Sequence, residues 1–184
     1  MRVDVVNMNI TQPTFKLCLA ALGLAVALCS CSSMGKPKGV VASLRLHIQV
    51  APDGSDRSAP VPIYRAKPVL INVDKAAFLD ERSLTNAVLM ELGDSFAIQV
   101  QFSHSGAKIL EQYTTSFRSR HCAIASQWGE KTFTNRWLAA PLFNRTISDG
   151  TLVFTPDASH EEALLIVNAL NNALKFIEKA GTSW

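Results

Sequence analysis

From Leu44 to Val50 (Leu-Arg-Leu-His-Ile-Gln-Val) apolar and polar residues alternate strictly, which predicts a strand with one buried face. Ala51 to Ala59, with Pro52-Asp53-Gly54, reads as a turn-rich loop. Val61 to Tyr64 and Val69 to Val73 are short β-rich stretches interrupted by Pro62 and Pro68, so they belong at a sheet edge or in an extended approach. Asp80 to Asn86 is polar around one leucine and predicts a short helix or turn. Ala87 to Leu92 and Phe96 to Phe102 flank Gly93-Asp94-Ser95, a connection that suits a hairpin. Ser105 to Arg118 predicts a helix with Leu110, Tyr113 and Phe117 on one face. His121 to Trp128 predicts a strand, Gly129-Glu130 a turn and Thr132 to Leu138 the partner strand. Thr151 to Phe154 is a further strand, introduced by Asp149-Gly150.

The last helix carries the strongest local pattern. Ser159 and Glu162 have capping-box spacing, in which each side chain satisfies a free backbone donor of the first turn. Ala163, Val167, Leu170, Leu174 and Ile177 follow at helical spacing, Lys175 and Lys179 complement the dipole at the far end, and Gly181 closes the helix. From Phe96 onward the order is strand, helix, strand, strand, short strand, helix. That order predicts an α+β fold: a ferredoxin-like antiparallel sheet with two helices on one face, extended by N-terminal strands, over residues 43–184.

A different pattern precedes this domain. Leu17 to Leu28 is almost wholly apolar, with Lys16 in front and small residues behind, which is the pattern of a secretory signal peptide. A dozen apolar residues fall short of the about 20 that a membrane-spanning helix needs, and the competing reading is a buried core helix. The leader contains Asp4, and Met8 offers an alternative start. Leu28-Cys29-Ser30-Cys31 resembles the lipobox of bacterial lipoproteins, where the leader is cut just before an acylated cysteine. Cys31 has Leu28 at −3 and Ser30 at −1 and fits that pattern, whereas Cys29, the alternative acceptor, would place bulky Leu28 at −1. The resemblance implies a signal peptide over 1–30 and a lipidated Cys31 heading a tether over 31–42. That tether includes Ser32 to Gly39, whose Gly, Pro and Ser content favours chain freedom. Ser32 stands where an inner-membrane retention Asp would be, so the resemblance implies outer-membrane sorting in a cell that has an outer membrane.

Charge adds little. The chain carries 18 Lys+Arg and 15 Asp+Glu; Arg2, Lys16 and Asp4 precede Cys31, which leaves 16 against 14 with the signs interspersed. No basic block calls for nucleic acid. Processing would also remove Cys18 and Cys29 and acylate Cys31, leaving Cys122 without a disulfide partner.

Phe96-Ala-Ile-Gln-Val-Gln-Phe-Ser-His-Ser-Gly-Ala-Lys, Cys122-Ala-Ile-Ala-Ser, Ala139-Ala140-Pro141-Leu142, Ile147-Ser148-Asp149-Gly150 and His160-Glu161-Glu162-Ala163 occur in that order. In order and spacing they resemble the periplasmic head of SecD, the accessory subunit of the bacterial preprotein translocase, over Ala87 to about Ala173. The resemblance implies the head's fold and a protein-binding habit. SecD's charged membrane helices have no counterpart here, so transport and proton coupling are not implied.

Chemistry is sparse. His121 and Cys122 are adjacent on a predicted strand and point to opposite faces, so neither can activate the other within it, and Cys122 reads as a small buried hydrophobe. His47, His104, His121 and His160 lack metal-ligand spacing, and neither a phosphate loop nor a nucleophile elbow is present, so no catalytic residue, metal or cofactor is expected. Trp128 and Trp137 are either packing residues or, with Arg136, an aromatic contact patch. The expected function is that of a non-enzymatic, lipid-anchored envelope lipoprotein whose SecD-head-like module binds envelope proteins or unfolded polypeptide. The alternatives are a structural or oligomeric envelope component and a tethered thiol-dependent hydrolase.

Overall fold

The computed structural model describes residues 39–181; the expected leader, Cys29, Cys31 and most of the tether lie outside them. The strands are β1 (Val41–Ile48), β2 (Ser58–Ile63), β3 (Val69–Asp74), β4 (Leu79–Asp80), β5 (Leu84–Leu92), β6 (Ser95–Phe102), β7 (Cys122–Gly129), β8 (Phe133–Ala139) and β9 (Thr151–Phe154). The helices are α1 (His104–Ser116) and α2 (His160–Gly181), and a 3-10 turn at Glu81–Ser83 separates β4 from β5. The α+β class is the one expected.

All pairing is antiparallel. The strands from Phe96 onward are shared between two sheets. β7 and β8 join a four-stranded sheet of order β4-β1-β7-β8, while β6 and β9 join a three-stranded sheet of order β5-β6-β9. The N-terminal strands account for the division, because β1 takes the flank of β7 and β5 the flank of β6. Proline-bearing β2 pairs with β3, which follows Pro68, as a two-stranded ribbon, in keeping with their edge-like sequence.

Period-two alternation decides what each face of the larger sheet meets. Leu44, Leu46 and Ile48 of β1 and Cys122 and Ile124 of β7 face a core shared with Val100 and Leu152 of the smaller sheet, Leu110 of α1 and Ile166 and Leu170 of α2. Ala123, on the other face of β7, meets Val61, Ile63, Ile71 and Val73 of the ribbon in a second, smaller core. The larger sheet is thus covered on both sides near Ala123.

α1 starts at Ser103, whose hydroxyl accepts the Gly106 N–H at 3.3 Å. Fully buried Thr114 donates to the Leu110 carbonyl at 2.8 Å and accepts from the Ile147 N–H at 3.0 Å, tying α1 to the 141–150 loop. The capping box of α2 forms as expected: Glu162 N–H donates to Ser159 Oγ at 3.2 Å, and Ser159 N–H to Glu162 Oε2 at 3.0 Å. Midway along α2 the Asn171 amide takes both backbone groups of Ala87 on β5, accepting its N–H at 3.0 Å and donating to its carbonyl at 2.8 Å. One side chain thereby acts as a neighbouring strand would.

Gly129 ends β7 at φ 157°, and a Cβ there would overlap the Thr132 carbonyl oxygen, so the β7–β8 turn requires glycine. Gly129→Ala is expected to lower unfolding stability by more than about 1 kcal/mol, read from denaturant melts. An unchanged melt would show that the turn does not hold this geometry.

Candidate functional site

Of the three residues expected to share a contact patch, Arg136 lies against Trp128, and Trp137 stands apart from both. Trp128 pairs with Thr134 and Trp137 with Ala125, an odd offset along β8 that places the two indoles on opposite faces of the sheet. Trp128 faces the main core and is 6% exposed. Trp137 is partly buried on the other face, packed against the smaller core and edge-on to the His47 ring at 5.2 Å. Alternation across the paired strands thus puts Trp137 on one face of the sheet and Trp128 with Arg136 on the other.

Arg136 is committed inside the domain. Its guanidinium forks onto Glu162, with Nη1–Oε2 at 3.2 Å and Nη2–Oε1 at 3.0 Å, donates to the Asp157 carbonyl at 3.2 Å and lies 5.2 Å from the Trp128 ring centroid. Arg65 joins from the turn of the ribbon: its N–H and Nε donate to Asp157 Oδ2 at 2.8 and 3.2 Å, and its Nη2 lies 3.6 Å from Glu162 Oε2. The Arg136 hydrogen bond, followed by the Ser159 N–H, brings the Glu162 pKa down from 4.5 to about 2. Sequence spacing marks Glu162 as a cap; its ion pair, 26 residues away on a strand, leaves no local signal.

Two concave surfaces on the sheets are candidate contact sites. On the outer face of the larger sheet, Ser43, Arg45, His47, Gln127, Asn135 and Trp137 line a polar hollow of about 220 Å³. His47 Nδ1 lies 2.8 Å from the Asp74 carbonyl oxygen, and burial holds its pKa below the ordinary histidine value. Beside β9, an edge of the smaller sheet, a groove of about 300 Å³ is lined by Leu142, Arg145, Ile147 and Val153 among others, with Leu142 and Val153 exposed. The sequence signal for this groove is faint. Val153 is an apolar residue at an outward position between inward Leu152 and Phe154.

The thiol chemistry weighed for Cys122 does not suit its position. The side chain is wholly buried in the main core, and desolvation pushes its pKa far above the ordinary thiol range, so it stays protonated. His121 Nδ1 lies 2.8 Å from the Ala140 carbonyl oxygen. His160 is a surface residue, with Nε2 2.7 Å from Glu91 Oε1. Among the described residues no cluster of three or more His, Cys, Asp or Glu side chains could hold a metal ion, and no helix is long and apolar enough to cross a membrane.

No family model matches the chain, and no curated protein matches it in sequence. In three dimensions it is similar to SecDF, described as a membrane component that enhances protein export, with a TM-score of 0.50, 16% identity and coverage of 91% of this chain and 72% of that one. It is also similar to SecDF in its Super-membrane-facing form, with a TM-score of 0.50, 18% identity and coverage of 71% of this chain and 19% of that one. At these identities the likeness is one of fold. It bears out the SecD resemblance at that level: the chain carries a SecD-head-like domain.

Two outcomes follow from this geometry. Glu162→Gln keeps the cap but removes the charge, and should cost about 1 kcal/mol at neutral pH for a pair that is partly screened by solvent. The carboxylate's folded pKa is depressed, so its contribution is complete above about 4.5 and is lost as pH falls through about 2. The difference in melting temperature between wild type and variant should therefore close across that window; a constant difference would refute the ionic account. Cys122 should resist a thiol reagent in the native protein and react at once in denaturant, as followed by mass spectrometry.

Proposed function

We propose that this chain is a lipid-anchored lipoprotein of the bacterial cell envelope whose SecD-head-like domain binds polypeptide and catalyses no reaction. The observation that carries this reading is the SecDF-like fold with an exposed apolar edge at β9, where Leu142 and Val153 border a groove. An extended segment can add to such an edge through its backbone while apolar side chains fill the groove, a mode that tolerates many sequences. The buried, protonated thiol of Cys122 argues against the thiol-dependent hydrolase.

Attachment to the membrane rests on the Leu28 to Cys31 lipobox and on the apolar run before it. One acyl chain anchors only marginally, and the several chains typical of lipoproteins hold a domain without a spanning helix. Ser32 after Cys31 favours the outer membrane over the inner one where both exist.

Labelling cells with a radioactive fatty acid should mark the wild-type protein and not Cys31→Ala; label retained in Cys31→Ala and lost in Cys29→Ala would move the acceptor to Cys29. A photo-crosslinker at Val153 should capture an unfolded polypeptide, whereas one at Leu92, equally open at the β5–β6 turn, should not. Equal yields at the two positions would remove the β9 edge as the binding site.

A further inference from the structure

The face of the domain around Val40 carries several exposed apolar side chains. Val40 packs against the main core, and its carbonyl accepts the Asn172 amide at 3.4 Å, so the chain enters alongside α2. Two shallow grooves flank this point. One, of about 300 Å³, has Val41, Phe133, Phe176 and Ile177 in its walls; the other, of about 420 Å³, has Val40, Leu164 and Leu165. Phe133 is 52% exposed, Leu164 45%, Leu165 42% and Ile177 37%.

These side chains do not serve the core. The buried face of α2 is set by Ala163, Ile166, Val167 and Leu170, and the helix positions turned away from it are ordinarily polar. Here two adjacent leucines stand on the outer side. An exposed apolar surface of this kind marks a contact with protein or with lipid.

The tether decides between them. Eight residues separate Cys31 from Val40, and the nine steps between them span about 30 Å at full extension, at about 3.3–3.6 Å per residue. A domain held by acyl chains at that distance meets the bilayer at a high effective concentration, and the face at the root of the tether is the one the anchor presents to lipid. Charge around the grooves is mixed, with Lys131 and Lys175 close in sequence to Phe133 and Phe176, and Glu81 and Glu161 in the groove walls. Apolar insertion, not attraction to anionic headgroups, is then the driving term.

We infer that this surface rests on the phospholipid bilayer, with Phe133 and Ile177 on one side of the tether root and Leu164 and Leu165 on the other entering the boundary between headgroups and acyl chains. The inference rests on the lipid-anchor reading and adds an orientation to it: the domain lies against the membrane by a defined face.

The test uses the full processed protein in vesicles of phosphatidylethanolamine and phosphatidylglycerol with brominated acyl chains. Phe133→Cys and Leu164→Cys, both at exposed positions, accept an environment-sensitive fluorophore, while buried Cys122 and acylated Cys31 do not. Leu142→Cys is the control outside both grooves. A blue shift and loss of emission at positions 133 and 164, absent at 142 and unchanged in high salt, is the expected result. Acylated protein that stays with the vesicles while both labels report water overturns the surface and leaves the anchor standing. Protein that carries no acyl group on Cys31 and does not float with vesicles overturns both. A shift in native membranes that is missing in pure lipid assigns the face to a protein and overturns the lipid contact.

Discussion

The fork between Arg136 and Glu162 is the interaction on which the placement of the other parts depends. Arg136 comes from the edge of the larger sheet, Glu162 from the first turn of the helix that packs on both sheets, and Asp157, which supplies a third acceptor, also holds Arg65 from the ribbon. The two capping bonds with Ser159 then set where α2 begins. That start matters because each residue of offset turns a helix by about 100°. A shift of one position would carry Ala163, Ile166, Val167 and Leu170 out of the core. The guanidinium lies against Trp128, so its charge is shielded on one side and directed at the carboxylate on the other.

Much of the local architecture was legible in the residues. Alternation from Leu44 to Val50 marked β1, the Gly93-Asp94 turn marked the β5–β6 hairpin, and the Ser159–Glu162 spacing located the start of α2 to the residue. The sheet partners were not legible. Whether β7 lies beside β6 or beside β1 depends on which strands complete a core, and a single-strand pattern carries no information about its neighbour. Proline in β2 did carry such information, because a missing N–H excludes a central position.

The candidate site was legible in a different measure. Aromatic residue type drew attention to Trp128 and Trp137, yet the pleat sent them to opposite faces, a separation hidden until the register of β8 on β7 was known. Arg136, placed beside them by sequence, spends its donors on Glu162 and the Asp157 carbonyl. Leu142 and Val153 carried no motif; their meaning comes from lying along an edge strand of the smaller sheet. Residue type draws attention to residues that pack, whereas the candidate surface depends on topology.

The Asn171 amide on Ala87 has a consequence for the protein among copies of itself. Molecules confined to a membrane surface meet one another far more often than in solution, and a bare strand edge turns such meetings into stacking. With Asn171 occupying both backbone groups of Ala87, β5 offers a neighbour no continuous ladder to extend, so under the proposed lipid anchor crowding in two dimensions would not by itself convert this side of the smaller sheet into a seam between molecules.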